Sequence, residues 1–205
     1  KFQKRSINRI LTREGLDMPY ENRDSFGKTY GEHKRALELS EDDYRELIEF
    51  THKNDLLFSA SGWDEESVDF LVKIEVPFLK MASADLSNFP LLKHTAKTGF
   101  PVILSTGMAD MELVKSAYDL FINYNTNAAI MQCTSTYPAQ FDELHLNVIP
   151  TFRQTFPQAV IGYSGHELGI AIPGVAVALG ARIIERHFTL DRTMKGGDHA
   201  ASLEP

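Results

Sequence analysis

The sequence predicts an α/β fold in which parallel strands are covered by helices, and three observations predict it. Short apolar runs alternate with longer segments of helical periodicity along most of the chain. The runs stay apolar until their last two or three residues, as strands buried on both faces do. The repeat length is near that of one strand-helix unit.

Phe2 and Gln3 read as the tail of a strand that starts before Lys1. A long polar connection over 4–38 follows, and a stretch of that length is a functional loop or disorder. It contains FGKTYGEHKR (26–35), where glycines permit tight turns and Lys28, Lys34 and Arg35 supply charge. A solvated surface loop explains that composition equally well. Ser40 then stands as a helix N-cap with Asp43 in the capping-box position, and Tyr44, Leu47, Ile48 and Thr51 recur as one apolar stripe. Strand 56–61 leads to helix 65–74, strand 78–83 to helix 90–98, strand 102–106 to helix 111–124, and strand 128–135 to helix 145–156. Two short strands, 159–162 and 182–184, flank an apolar helix over 168–180 that ends in the Leu-Gly suited to helix closure.

Composition narrows the function. A chain of 205 residues with 43% hydrophobic content can bury one sizeable core. Net charge is −7, from 21 basic and 28 acidic residues, and no basic block stands alone, which argues against a nucleic-acid surface. The single cysteine, Cys133, cannot form an internal disulfide and sits in an apolar strand, where packing is its expected role. No apolar run has the roughly 18 residues of a membrane span, and no signal-peptide pattern opens the chain. Cytoplasm is the expected location. A start at Lys1 and an end at Pro205 without a closing helix suggest a piece of a longer protein.

An open doubly wound sheet usually places its phosphate site in a Gly-x-Gly-x-x-Gly turn, and none follows a strand here. Instead polar residues end nearly every strand. That pattern fits a (β/α)8 barrel of the TIM type, incomplete, with its first strand and last helix missing from the chain. The strand ends offer Lys1, Gln3, Ser59, Ser61, Lys80, Ser83, Ser105, Thr106, Thr134, Ser135, Tyr137, Ser164, His166, Glu185 and His187. His166 and His187 close neighbouring parallel strands, so two neutral imidazoles can converge on a divalent cation; local capping is the simpler role for either alone. Lysines, hydroxyls and helix N-termini together suit a phosphate or carboxylate. Lys80 has apolar flanks and either snorkels to water or meets an anion. Asp85 is a candidate N-cap. Glu185 alternates with His187 onto one face, while Arg186 points away. A buried Glu185 needs a metal, a lysine or a ligand hydroxyl.

FQK, GKTYGEHKR, ILSTGM, QCTSTYP, IGYSGHE, ALGA, ERHFTLD and KGGDHAASLEP are collinear over the whole chain, and together they resemble the sialic acid synthase family, closely its animal branch. That resemblance implies condensation of phosphoenolpyruvate with N-acetylmannosamine or its 6-phosphate, giving N-acetylneuraminate or its 9-phosphate and phosphate. By motif, Lys1, Ser61, Lys80, Ser83, Ser105, Ser135 and Ser164 stand where the family holds phosphoenolpyruvate, and Gln3 joins the substrate set. His166 and His187 match its two protein ligands to a divalent metal, usually manganese, with magnesium or cobalt as alternatives. Asp85, Tyr137, Glu185 and Asp198 stand around the acyclic sugar, and Lys80, Tyr137, Glu185 and Asp198 form the implied catalytic set. Lys28, Lys34, Arg35 or Lys195 are candidates for the sugar phosphate. The resemblance also implies a homodimer, a C-terminal antifreeze-like domain outside this chain, and little activity or stability in the isolated piece. Two rival readings are another metal-dependent barrel aldolase or hydrolase, and a non-catalytic sugar-phosphate binder.

Overall fold

The computed structural model describes all 205 residues, Lys1–Pro205. The chain forms two compact units, Lys1–Lys80 and Met81–Pro205.

In the first unit, β1 (Phe2–Lys4), β2 (Ala60–Gly62) and β3 (Leu79–Met81), the last reaching one residue into the second unit, pair parallel in chain order. Gln3 lies opposite Ser61, and Ser61 opposite Lys80. Residues opposite one another in a parallel pair share a face, so these three side chains form a row. The connection 4–38 is not structureless. It holds three short helices, α1 (Ile7–Ile10), α2 (Arg13–Asp17) and α3 (Tyr30–Ala36). The overlooked signal was a capping box at the start of α3, in which Thr29 accepts from the Glu32 N–H and Glu32 accepts from the Thr29 N–H. Next comes α4 (Glu41–Lys53), where the expected box of Ser40 and Asp43 is present and Tyr44 is fully buried, its hydroxyl donating to the Gln3 carbonyl at 2.7 Å. Asp64 caps α5 (Glu65–Lys73) by accepting from the Ser67 N–H. Strand β2 is shorter than apolarity suggests. Leu56 and Leu57 are exposed, and the Leu56 N–H still donates to Thr51 in the preceding helix, so no partner strand claims them.

The second unit alternates four parallel strands with helices: α6 (Phe89–Lys97), β4 (Val102–Ser105), α7 (Met111–Asn123), β5 (Ala128–Cys133), α8 (Val148–Thr155), β6 (Val160–Gly165), α9 (Ala171–Ala178) and β7 (Ile183–Arg186). Strand order β4-β5-β6-β7 follows chain order. The parallel α/β reading therefore holds in both units. Strand β6 runs past Gly162 to Gly165 because Ser164 pairs on both sides, with Cys133 and with Glu185. Pairing, rather than apolarity, sets its end. Gly162 is required there: a Cβ would lie 2.6 Å from the Met131 sulfur and 2.8 Å from the Ile183 carbonyl. The core includes Leu92, Leu104, Phe121, Ile130, Ile149 and Ile161. Asp85 is not the cap of α6; it lies in a 3-10 turn, Ser83–Asp85, and Asn88 caps the helix by accepting from the Leu91 N–H. No helix is long and apolar enough to cross a membrane.

Candidate active site

Alternation along β6 and β7 divides the second unit's strand ends into two faces. Ser164, His166, Glu185 and His187 share one face; Tyr163, Glu167 and Arg186 share the other. Cys133 lies in register with Ser164, and Ser164 with Glu185, so the three form a row just below the histidines.

His166 is held at two points by the loop after β5. Its Nδ1 lies 2.6 Å from the Thr134 carbonyl, and its own carbonyl accepts from the Ala139 N–H at 3.0 Å. A carbonyl only accepts, so Nδ1 carries the proton, and the ring also meets the Cys133 thiol. Burial disfavours the charged imidazole, but hydrogen bonds to Cys133 and the Thr134 carbonyl and the charge of Glu185 outweigh it and raise the pKa above the ordinary value. His187 is fixed from the other side. The Leu203 N–H donates to its carbonyl at 2.8 Å, and the same segment sets the Asp198 carboxylate 3.6 Å from its Nδ1. The two rings lie 5.3 Å apart between centroids, and the Tyr137 ring packs on both, 4.0 Å from His166 and 5.6 Å from His187. Partial burial first, then the charges of Cys133, Asp198 and Glu185, pushes the Tyr137 phenol up, so it stays a donor near neutral pH. Glu185 is half-buried and accepts from the Ser164 hydroxyl at 3.1 Å.

This donor set suits a divalent cation. The two imidazoles stand side by side after neighbouring strands, and the Asp198 carboxylate lies beside the second ring. No cluster of three or more His, Cys, Asp or Glu side chains is spaced to hold a metal, so the protein would offer two ligands and leave the remaining positions to water or substrate.

Next to this group, the Ser83 hydroxyl donates to the Cys133 sulfur at 3.5 Å and accepts from the Gly107 N–H at 3.0 Å. A Cβ on Gly107 would lie 2.9 Å from the Ser83 hydroxyl oxygen and closer still to that of Ser135. Gly107 therefore leaves room for the two serine hydroxyls to come together, with its own N–H spent on Ser83. Ser105 is buried below it at the end of β4. A cavity of about 490 Å3, lined by Thr106, Met108, Cys133, Thr134, Ser135 and His145 among others, opens in the same unit.

In the first unit, Lys80 is 3% exposed and does not snorkel to water. Ser61 is buried beside it, and Gln3 Oε1 in the same row is buried without a hydrogen-bond donor. Lys1 is exposed. Three hydroxyls of the predicted rim are engaged with backbone carbonyls instead: Ser59 with Phe78, Thr106 with Met131 and Thr134 with Glu143. Among the candidates for the sugar phosphate, Lys34 lies over the Tyr30 ring at 5.0 Å and Arg35 donates to Asn8 at 3.0 Å, while Lys28 and Lys195 are exposed. Gly107, the Thr134 carbonyl and Cys133 lie among the site residues although residue type did not single them out. Their only sequence signal was a place inside STGM and QCTSTYP.

Residues 1–205 match the NeuB family model. The chain is 50% identical over 205 residues to N-acetylneuraminate-9-phosphate synthase of Homo sapiens, covering all of this chain and 57% of that protein, and 46% identical over 206 residues to the Drosophila melanogaster protein of the same name, covering 55% of it. This chain thus spans little more than half the length of those relatives. Among solved structures, an N-acetylneuraminic acid (sialic acid) synthetase from Leptospira borgpetersenii in complex with citrate superposes with a TM-score of 0.80 at 37% identity, covering 86% of this chain and 64% of that one. A truncated 3-deoxy-D-arabino-heptulosonate 7-phosphate synthase from Thermotoga maritima, 18% identical with a TM-score of 0.70, shares the fold. With a family match over its whole length and half of its residues identical to those of the human protein, the chain belongs to the NeuB family.

Proposed function

We propose that this protein condenses phosphoenolpyruvate, water and N-acetylmannosamine 6-phosphate into N-acetylneuraminate 9-phosphate and inorganic phosphate, with unphosphorylated N-acetylmannosamine as the alternative acceptor. It is then a transferase of sialic acid biosynthesis that forms a carbon–carbon bond, built on a (β/α)8 barrel and working as a cytoplasmic homodimer with the family's antifreeze-like domain. The observation that carries this reading is the cluster of His166, His187, Tyr137, Glu185 and Asp198 at the ends of neighbouring strands, in a chain half identical to the human N-acetylneuraminate-9-phosphate synthase.

His166 and His187 would hold a divalent cation, manganese in the first place, which supplies Lewis-acid polarisation of the open-chain aldehyde. C3 of phosphoenolpyruvate attacks that carbon, water adds at C2, and phosphate departs by C–O cleavage. Ser83 and Ser135, which come together over Gly107, would turn their hydroxyls to anionic oxygens, and Ser105 and Ser164 would complete the set. Lys80, with Lys1 and Ser61, supplies positive charge and hydroxyl donors for the carboxylate or the leaving phosphate. Buried as it is, Lys80 acts with less screening than a surface lysine. The Gln3 amide oxygen is an acceptor awaiting a substrate N–H or O–H. Tyr137 keeps its proton and can donate to a sugar oxygen; Asp198 and Asp85 would accept from hydroxyls, and Glu185, tethered by Ser164, would move a proton to or from water.

The test uses the complete natural polypeptide with phosphoenolpyruvate, Mn2+ and each form of the amino sugar, following phosphate release and the nine-carbon product. Phosphate should appear only when an acceptor is present, in step with product. Release without acceptor, or an aldol product that retains no carbons of phosphoenolpyruvate, would replace this reading with a phosphatase or another aldolase. Binding without turnover would favour the non-catalytic binder.

A further inference from the structure

Behind the paired histidines, on the opposite face of β6 and β7, lies a buried polar group that the proposed chemistry does not use. Arg186 precedes His187 by one residue, and Glu167 follows His166 by one. The Arg186 side chain is 7% exposed and that of Glu167 0%. Arg186 Nη1 donates to Glu167 Oε1 at 2.8 Å and to the Gly169 carbonyl at 2.9 Å, while Nη2 donates to the Glu167 carbonyl. The Tyr163 hydroxyl donates to the other carboxylate oxygen, Oε2, at 2.7 Å. Gly165 makes this possible, because a Cβ there would lie 2.5 Å from Glu167 Oε2 and 2.6 Å from the Tyr163 ring.

A buried ion pair is poor evidence for stability, since apolar side chains of similar volume often serve as well or better. What it offers instead is fixed geometry. A guanidinium fork bound to both the side chain and the main chain of one residue allows little sliding. Here the fork joins the residue beside one imidazole to the residue beside the other, across two neighbouring strands that a histidine follows. We infer that Arg186, Glu167 and Tyr163 form a positioning clasp that sets the separation and tilt of His166 and His187, and thereby the affinity of the pair for a divalent cation. The inference rests on the metal reading given above and assigns these residues no contact with substrate.

The experiment measures Mn2+ binding by electron paramagnetic resonance in the complete polypeptide and in its Arg186→Lys and Tyr163→Phe variants, together with thermal unfolding of the metal-free proteins. Arg186→Lys keeps the charge but loses the fork, and should weaken Mn2+ binding roughly 10–100-fold, the usual effect of removing an outer-shell support. Tyr163→Phe removes one hydroxyl and leaves the ion pair; it should fold even if Arg186→Lys does not, and should weaken binding about three-fold or more on the same principle. Affinities within two-fold of the parent in folded variants would overturn the clasp alone. Equal binding by the parent and by His166→Ala would overturn both the metal reading and the clasp built on it.

Discussion

For single residues the sequence was informative about type more than about partners. Both histidines, Tyr137, Glu185 and Asp198 were readable as candidates, and they do meet at the ends of β5, β6 and β7. Which rim hydroxyls are spent on backbone carbonyls was not readable, because a serine or threonine at a strand end is the same letter whether it bonds a neighbouring carbonyl or a ligand. Gly107 escaped notice for a related reason: its contribution is the absence of a side chain where Ser83 and Ser135 approach. Gly107→Ala should displace both hydroxyls and raise KM for phosphoenolpyruvate at least ten-fold with little change in melting temperature. Steady-state kinetics beside calorimetry would check this, and an unchanged KM would take the two serines out of phosphoenolpyruvate binding. Lys80→Ala should likewise raise that KM, and an unaltered value would argue that its buried ammonium serves packing alone.

At the scale of elements, helices were legible where caps and stripes coincide. The Ser40 and Asp43 box begins α4 where expected, and the stripe of Tyr44, Leu47, Ile48 and Thr51 is its least exposed face. Ser40→Ala should lower stability by about 1 kcal/mol, the usual loss for an N-cap. Hydrogen bonds from Ser40 hold Asp43 below the ordinary carboxylate pKa, so its contribution is complete above the unfolded value and is lost as the pH falls through the folded one. The difference between the parent and Ser40→Ala should therefore be full at pH 7 and shrink at pH 3. Denaturant unfolding at the two values measures it, and a gap that widened on acidification would contradict the assignment. Strand ends were less legible, because apolar content does not report pairing. Leu56 and Leu57 look like strand and are not, while Ser164 looks like loop and pairs on both sides. The helices within 4–38 were missed because each is short and only the third has a full capping box.

For the molecule as a whole, the repeat of strand and helix was the most secure feature of the sequence, since it sums many weak signals. Seven parallel strands stand where the fragment at Phe2 and Gln3 and six apolar runs stood, three in the first unit and four in the second. Core substitutions test that packing: Ile130→Ala, at a fully buried position of β5, should destabilise the fold by roughly 2–5 kcal/mol, as cavity-forming changes do. A loss below 1 kcal/mol would show that β5 is not central to its unit. The proposed function needs one more condition, that the imidazole pair binds metal together. An anomalous difference map recorded at the manganese absorption edge, from crystals of the complete polypeptide grown with Mn2+ and phosphoenolpyruvate, examines that condition directly. The account predicts one strong peak bonded to both His166 and His187; a map with manganese elsewhere, or on neither ring, would contradict it.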